Sequence, residues 1–135
     1  MSNVRVGELH WDGDLRFTGG APGGSTVTID ADSGDAPGPM VLLLLAAGAC
    51  SGADVVSILQ KMQVALTRCD ITLTGERREE HPKRYLTLHY QFRLAGGGLD
   101  EVKARRAIDL SLEKYCSVRH SLNPDITVRY DLDLG

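Results

Sequence analysis

Three cysteines are the residues of this chain whose type could do chemistry, and they lie at positions 50, 69 and 116. None sits in a close CxxC pair or beside an HxxxH pattern, so the spacing offers no zinc site, and an odd count fits no disulfide framework. A thiol does chemistry as a thiolate, and an unperturbed cysteine near pKa 8.5 is mostly protonated at neutral pH. Bringing it to about 6 takes roughly 3.4 kcal/mol at 1.36 per unit. One cation about 4 Å away can supply this at an effective dielectric near 20. An inward-facing guanidinium would be needed, held by a carboxylate or carbonyl, and Asp54, four residues beyond Cys50, is on the right helical face to hold one. Without such help Cys50 reads as a small buried hydrophobe.

Cys50 lies in PMVLLLLAAGACSGADVVSILQKM, residues 39–62, which is uncharged and apolar or small on every side from Met40 to Ala53. A helix apolar all round is a buried helix. As an apolar stretch it is shorter than the about 20 residues a bilayer requires, with Asp54, Gln60 and Lys61 closing it, so the expectation is a core helix and no membrane partner. Pro39 suits the first helical position, and Gly48 and Gly52 share one face that lets another element come close.

Ahead of this helix, Val4, Val6 and Leu9, then Leu15 and Phe17, then Val27 and Ile29 form three short runs separated by WDGD and GGAPGG, which predicts a β-meander. After it, Cys69, Ile71 and Leu73 alternate with polar residues, as do Leu86, Leu88, Tyr90, Phe92 and Leu94 beyond RREEHPK. That pattern predicts a long hairpin turning near Pro82. Leu99 to Arg119 reads as a second helix with Val102, Ile108, Leu112, Tyr115 and Cys116 inward. Ile126, Val128, Tyr130 and Leu132 read as a last strand. The order is βββ-α-ββ-α-β, an α+β chain of one domain over residues 1–135.

The net charge of -3, pI near 5.7 and 5% aromatic content supply no footprint for nucleic acid. The N-terminus MSNVRVGELHW lacks the apolar core of a signal peptide, so the expected location is the cytoplasm, where the cysteines stay mostly reduced. His10, His81, His89 and His120 are far apart and read as surface or turn residues. Cys69 reads as a half-buried strand residue, and RREEHPKR as a solvated hairpin tip.

Taken together, GPMVLLLLAAGACSGADVVSIL and LSLEKYCSV resemble the osmotically inducible protein C and organic hydroperoxide resistance (OsmC/Ohr) superfamily, and the element order agrees; ERREEHPKRY resembles its OsmC-like branch. The resemblance implies antiparallel sheets around two central helices in an intertwined homodimer. It also implies a thiol peroxidase for organic hydroperoxides with no cofactor. Cys50 matches the peroxidatic cysteine, which becomes a sulfenic acid, and Cys116 the resolving cysteine, which condenses with it to a disulfide. A dithiol reductant such as a lipoylated protein then restores the pair. Well characterised members hold an arginine against the thiolate with a glutamate ahead of the peroxidatic cysteine. Here that stretch reads Met40-Val41, and of Arg5 and Arg16 near the N-terminal strands, Arg16 is the candidate cation. The competing reading is a binding module, in which a cavity lined by leucines and Met40 holds a small apolar ligand while the thiols stay idle. A structural dimer without a small-molecule site is the third.

Overall fold

In the computed structural model, which describes residues 3–135, two compact units follow one another, divided between Leu43 and Leu44. The first holds a three-stranded antiparallel meander of β1 (Glu8–Gly13), β2 (Arg16–Gly20) and β3 (Thr26–Asp30), with β2 in the middle. Val4 and Val6, expected in the first strand, precede it. The turn after β1 uses positive φ at Gly13 (106°) and Asp14 (46°), which suits a glycine followed by an aspartate. Asp30 closes β3 with a buried carboxylate that accepts the backbone N–H of Asp32 at 2.9 Å and of Asp35 at 3.0 Å. Those donors hold its pKa below the usual carboxylate value.

Helix α1 runs from Pro39 to Lys61, beginning in the first unit and lying mostly in the second. It matches the helix expected over residues 39–62, and Val55, Val56, Ile58 and Leu59 carry its hydropathy past Asp54. At 23 residues with a mean hydropathy of 2.0 over its most apolar window, it is long and apolar enough to cross a membrane by length and composition. Its small-residue face nevertheless packs on protein. A Cβ added to Gly48 would stand 2.5 Å from Leu73 Cδ1, and one added to Gly52 2.9 Å from Ile71 Cδ1, so the two glycines let α1 lie close against a strand.

That strand is β4 (Ala65–Arg77), which forms the long hairpin with β5 (Tyr85–Gly97) around the turn containing Pro82. The alternation of β5 holds for Leu88, Tyr90, Phe92 and Leu94, all buried. Leu86 breaks it. A bulge pairs Glu76 with Thr87 but Arg77 with Tyr85, which turns Tyr85 inward and leaves Leu86 39% exposed.

The last strand, β6 (Thr127–Leu134), joins β5 in parallel, where antiparallel sheets were expected throughout. The reason is topological. The chain leaves β5 at one end of the sheet and returns through helices to start β6 at the other, the crossover that parallel neighbours require. The second sheet is therefore mixed, in the order β4-β5-β6. Tyr130 Oη of β6 donates to Asp109 Oδ1 at 2.9 Å, and Arg84 makes a two-pronged pair with Asp125 at 2.8 and 2.9 Å, tying the crossover to the sheet.

The crossover is not one helix from Leu99 to Arg119. Helix α2 spans Glu101–Leu110, capped by Asp100, whose carboxylate accepts the Lys103 N–H at 2.8 Å. A single π-helical turn over Ser111–Tyr115 follows, and α3 is the short helix Ser117–Ser121. Ala104, Ala107 and Ile108 face inward, whereas Val102 and Tyr115 are 77% and 50% exposed, against expectation. Tyr115 packs its ring on Lys114, with Nζ 5.2 Å from the centroid.

Candidate functional site at the cysteine pair

The π turn decides where the second thiol goes. The Cys116 N–H donates to the Ser111 carbonyl at 2.7 Å, five residues back, so Ser111 rather than Leu112 precedes Cys116 on the inward line. The residue is not inside a helix, as the i, i+4 spacing suggested. Cys116 has extended backbone (φ -69°, ψ 102°) and serves as the N-cap of α3, its sulfur accepting the Arg119 N–H at 3.4 Å. His120 braces the break, with its Nδ1 2.9 Å from the Cys116 carbonyl and its Nε2 3.1 Å from that of Glu113.

Cys116 is fully buried and its sulfur lies 4.0 Å from the Ala47 carbonyl of α1. Cys50, one turn further along α1 and half-buried, acts on the Cys116 thiol and raises its pKa. Burial is the main cause that pushes the Cys116 thiol up to about 11; the Arg119 N–H opposes it, and the hydrogen bond and charge of Cys50 and the charge of Asp54 add to it. The third thiol is elsewhere. Cys69 is on β4 opposite Leu94, half-buried, and raised first by burial and then by the Asp70 charge.

Among the described residues Asp54 is paired with a hydroxyl and with no guanidinium, contrary to its expected part. Its carboxylate accepts the Ser111 hydroxyl at 2.9 Å, and Ser111 Oγ is also 3.0 Å from Ser51 Oγ. One hydroxyl has one proton, so Ser111 donates to Asp54 and Ser51 donates to Ser111. This chain of bonds fastens α1 to the π turn one helical turn from Cys50. Sequence reasoning missed both serines, since nothing local in LSLEKYCSV or ACSGAD tells a buried serine from a solvated one.

Two further groups close the site. Tyr90, from the middle strand of the mixed sheet, is fully buried and its pKa is pushed up to about 12, first by burial and then by Cys116, with Arg119 pulling down and Cys50 pushing up. Arg119 donates from its guanidinium to the carbonyls of Asn123 and Ile126 at 3.3 and 3.2 Å. Arg16, the cation expected from the sequence, is on β2 in the first unit, 3.2 Å from Asp35 and 3.6 Å from Asp14.

A family model described as OsmC-like protein matches residues 32–131, which include all three cysteines and every element from α1 into β6. The chain belongs to the OsmC-like protein family. It is 41% identical over 127 residues to Protein YhfA of Escherichia coli K12, covering 93% of this chain and 95% of that one. A hypothetical protein from Aquifex aeolicus VF5 has 31% identity and superposes with a TM-score of 0.86 over 99% of both chains. An OsmC-like protein from Mycoplasma pneumoniae, at 15% identity, superposes at 0.85 over 99% of both, so this OsmC-like fold holds far beyond sequence similarity.

The raised thiol and phenol make stability depend on alkaline pH. A group whose folded pKa lies above its unfolded value contributes stability that is present below the unfolded pKa and lost as pH rises through the folded one. For Cys116 that window runs from 9.0 to about 11, and for Tyr90 from 10.0 to about 12. Each shift corresponds to roughly 2 to 3 kcal/mol. Urea melts of the reduced protein should therefore keep one midpoint up to pH 8.5 and lose it steeply above 9.5. A flat midpoint to pH 11 would contradict the burial of both groups.

Proposed function

We propose that this OsmC-like protein is a cysteine-based thiol peroxidase that reduces organic hydroperoxides in oxidative stress defence. The observation that supports it is the meeting of Cys50 and Cys116, one half-buried on α1 and the other fully buried at a helix break, its sulfur 4.0 Å from the Ala47 carbonyl one turn from Cys50. In this reading the Cys50 thiolate attacks the peroxide, an S–O bond forms as the O–O bond breaks, and an alcohol leaves. The sulfenic acid then condenses with Cys116, releasing water, and a dithiol such as a lipoylated protein reduces the disulfide. Apolar surroundings from α1 favour alkyl or fatty hydroperoxides over hydrogen peroxide. Arg16 enters by the resemblance alone, as the cation for the thiolate. The working form is a homodimer in the cytoplasm.

Counting free thiols before and after one equivalent of cumene hydroperoxide tests this. The three cysteines should fall to one, with Cys69 left reactive. Three thiols unchanged would favour the second reading, a small apolar ligand held without chemistry. An observation supports that alternative too: a groove of about 770 Å³ between α1 and β4, lined by Leu45, Ala49, Ala53, Val56, Ile71 and Leu73.

A further inference from the structure

Tyr90 buries a hydroxyl that its packing does not use. It pairs with Leu73 of β4 and Tyr130 of β6, its ring lies parallel to that of Phe92 with centroids 5.8 Å apart, and none of its surface is exposed. Its hydroxyl, alone among buried side-chain N and O atoms of the described residues, has no hydrogen-bond partner. Phenylalanine would fill the same space without that cost, so an unpaired buried hydroxyl points to an acceptor that arrives later. Leu73, its partner across the hairpin, packs on Gly48 of α1, next to the Ala47 carbonyl that lies 4.0 Å from the Cys116 sulfur, and the charges that act on the phenol are those of Cys116, Arg119 and Cys50. Thiols at rest are weak acceptors. An oxygen carried on the Cys50 sulfur is a strong one.

We propose that the Tyr90 hydroxyl is a proton relay for disulfide closure, handing its proton to the oxygen that leaves Cys50 and taking one from the Cys116 thiol. The proposal rests on the peroxidase reading above. As the S–S bond forms, the S–O bond of the Cys50 sulfenic acid breaks. The Cys50 sulfur is reduced and the Cys116 sulfur is oxidised. The departing oxygen takes the phenolic proton and leaves as water, and the phenolate takes the proton of the Cys116 S–H, so tyrosine ends unchanged and no other reactant is consumed. Closure faces two obstacles, since hydroxide is a poor leaving group and a thiol held at about 11 is scarcely ionised at neutral pH. One phenol buried in the core that holds both thiols answers both obstacles.

The test is Tyr90→Phe in the full chain, oxidised with one equivalent of cumene hydroperoxide at pH 7. A dimedone-type probe reads the sulfenic acid and thiol loss reads the disulfide. Sulfenic acid should appear at the wild-type rate, while closure should slow about 100-fold, the usual reach of a positioned acid or base. A purely structural tyrosine would leave closure unchanged and the variant as stable as the parent or more so. Incorporating 3-fluorotyrosine, which keeps the hydroxyl but lowers its pKa, should move the closure pH profile downward. Equal closure rates in wild type and Tyr90→Phe, or an unmoved profile with fluorotyrosine, would overturn the relay alone. No sulfenic acid in any of the proteins would overturn the peroxidase reading and the relay with it.

Discussion

Cys50→Ser should abolish hydroperoxide consumption from the first turnover. A serine hydroxyl is hardly ionised at neutral pH and cannot attack an O–O bond, whereas a thiolate can. The substitution is close in volume, and Cys50 is only half-buried, so the fold should survive it. Cys116→Ser should behave differently. The first oxidation needs only Cys50, so one equivalent of peroxide should still be consumed, leaving a sulfenic acid that a dimedone-type probe traps and that drifts to sulfinic acid when excess peroxide is present. Stopped-flow consumption under single-turnover conditions reads both effects. Equal first-turnover rates in wild type and Cys50→Ser would remove Cys50 from the chemistry.

The second large effect concerns assembly. Helix α1 buries Ala47, Gly48, Ser51, Gly52, Val55 and Leu59, yet its most apolar window is only 28% buried within one chain. Leu45 is 54% exposed, and Ala49 and Ala53 are also open to water along the same face. An apolar helix is not stable with such a face in water, and a second copy of this chain is the proposed cover. Sedimentation at micromolar concentration should give a species of twice 14.6 kDa. Ala53→Glu places an uncompensated charge in that face, which costs about 3 to 5 kcal/mol and weakens association on the order of a hundredfold to a thousandfold, enough to show monomer at the same concentration. A wild-type monomer, or an Ala53→Glu protein as dimeric as its parent, would refute the idea that α1 is covered in this way.

The sequence by itself determined those features whose signal is local. Alternating residues along β4 and β5 announce strands, because side chains on a pleated strand point to opposite faces in turn. Pro39 and the glycines around Cys50 mark a helix that begins sharply and packs closely, and Gly48 and Gly52 do meet Leu73 and Ile71. The two cysteine segments together were enough for the family. Tertiary structure decided what depends on groups distant in the chain. Ser111 meets Asp54 across 57 positions and Ser51 across 60, and no periodicity in either segment encodes such a bond. The π turn moves Cys116 out of the line through Ile108 and Leu112, because one added residue in a turn shifts everything after it around the helix. The bulge at Leu86 swaps the faces of β5 at that end for the same reason. Tyr90 reads in the sequence as one more inward residue of an alternating strand, which it is. Only the arrival of Cys116 from the crossover and Cys50 from α1 brings their charges to bear on its hydroxyl, since proximity of three elements is a property of the folded chain and of none of them alone.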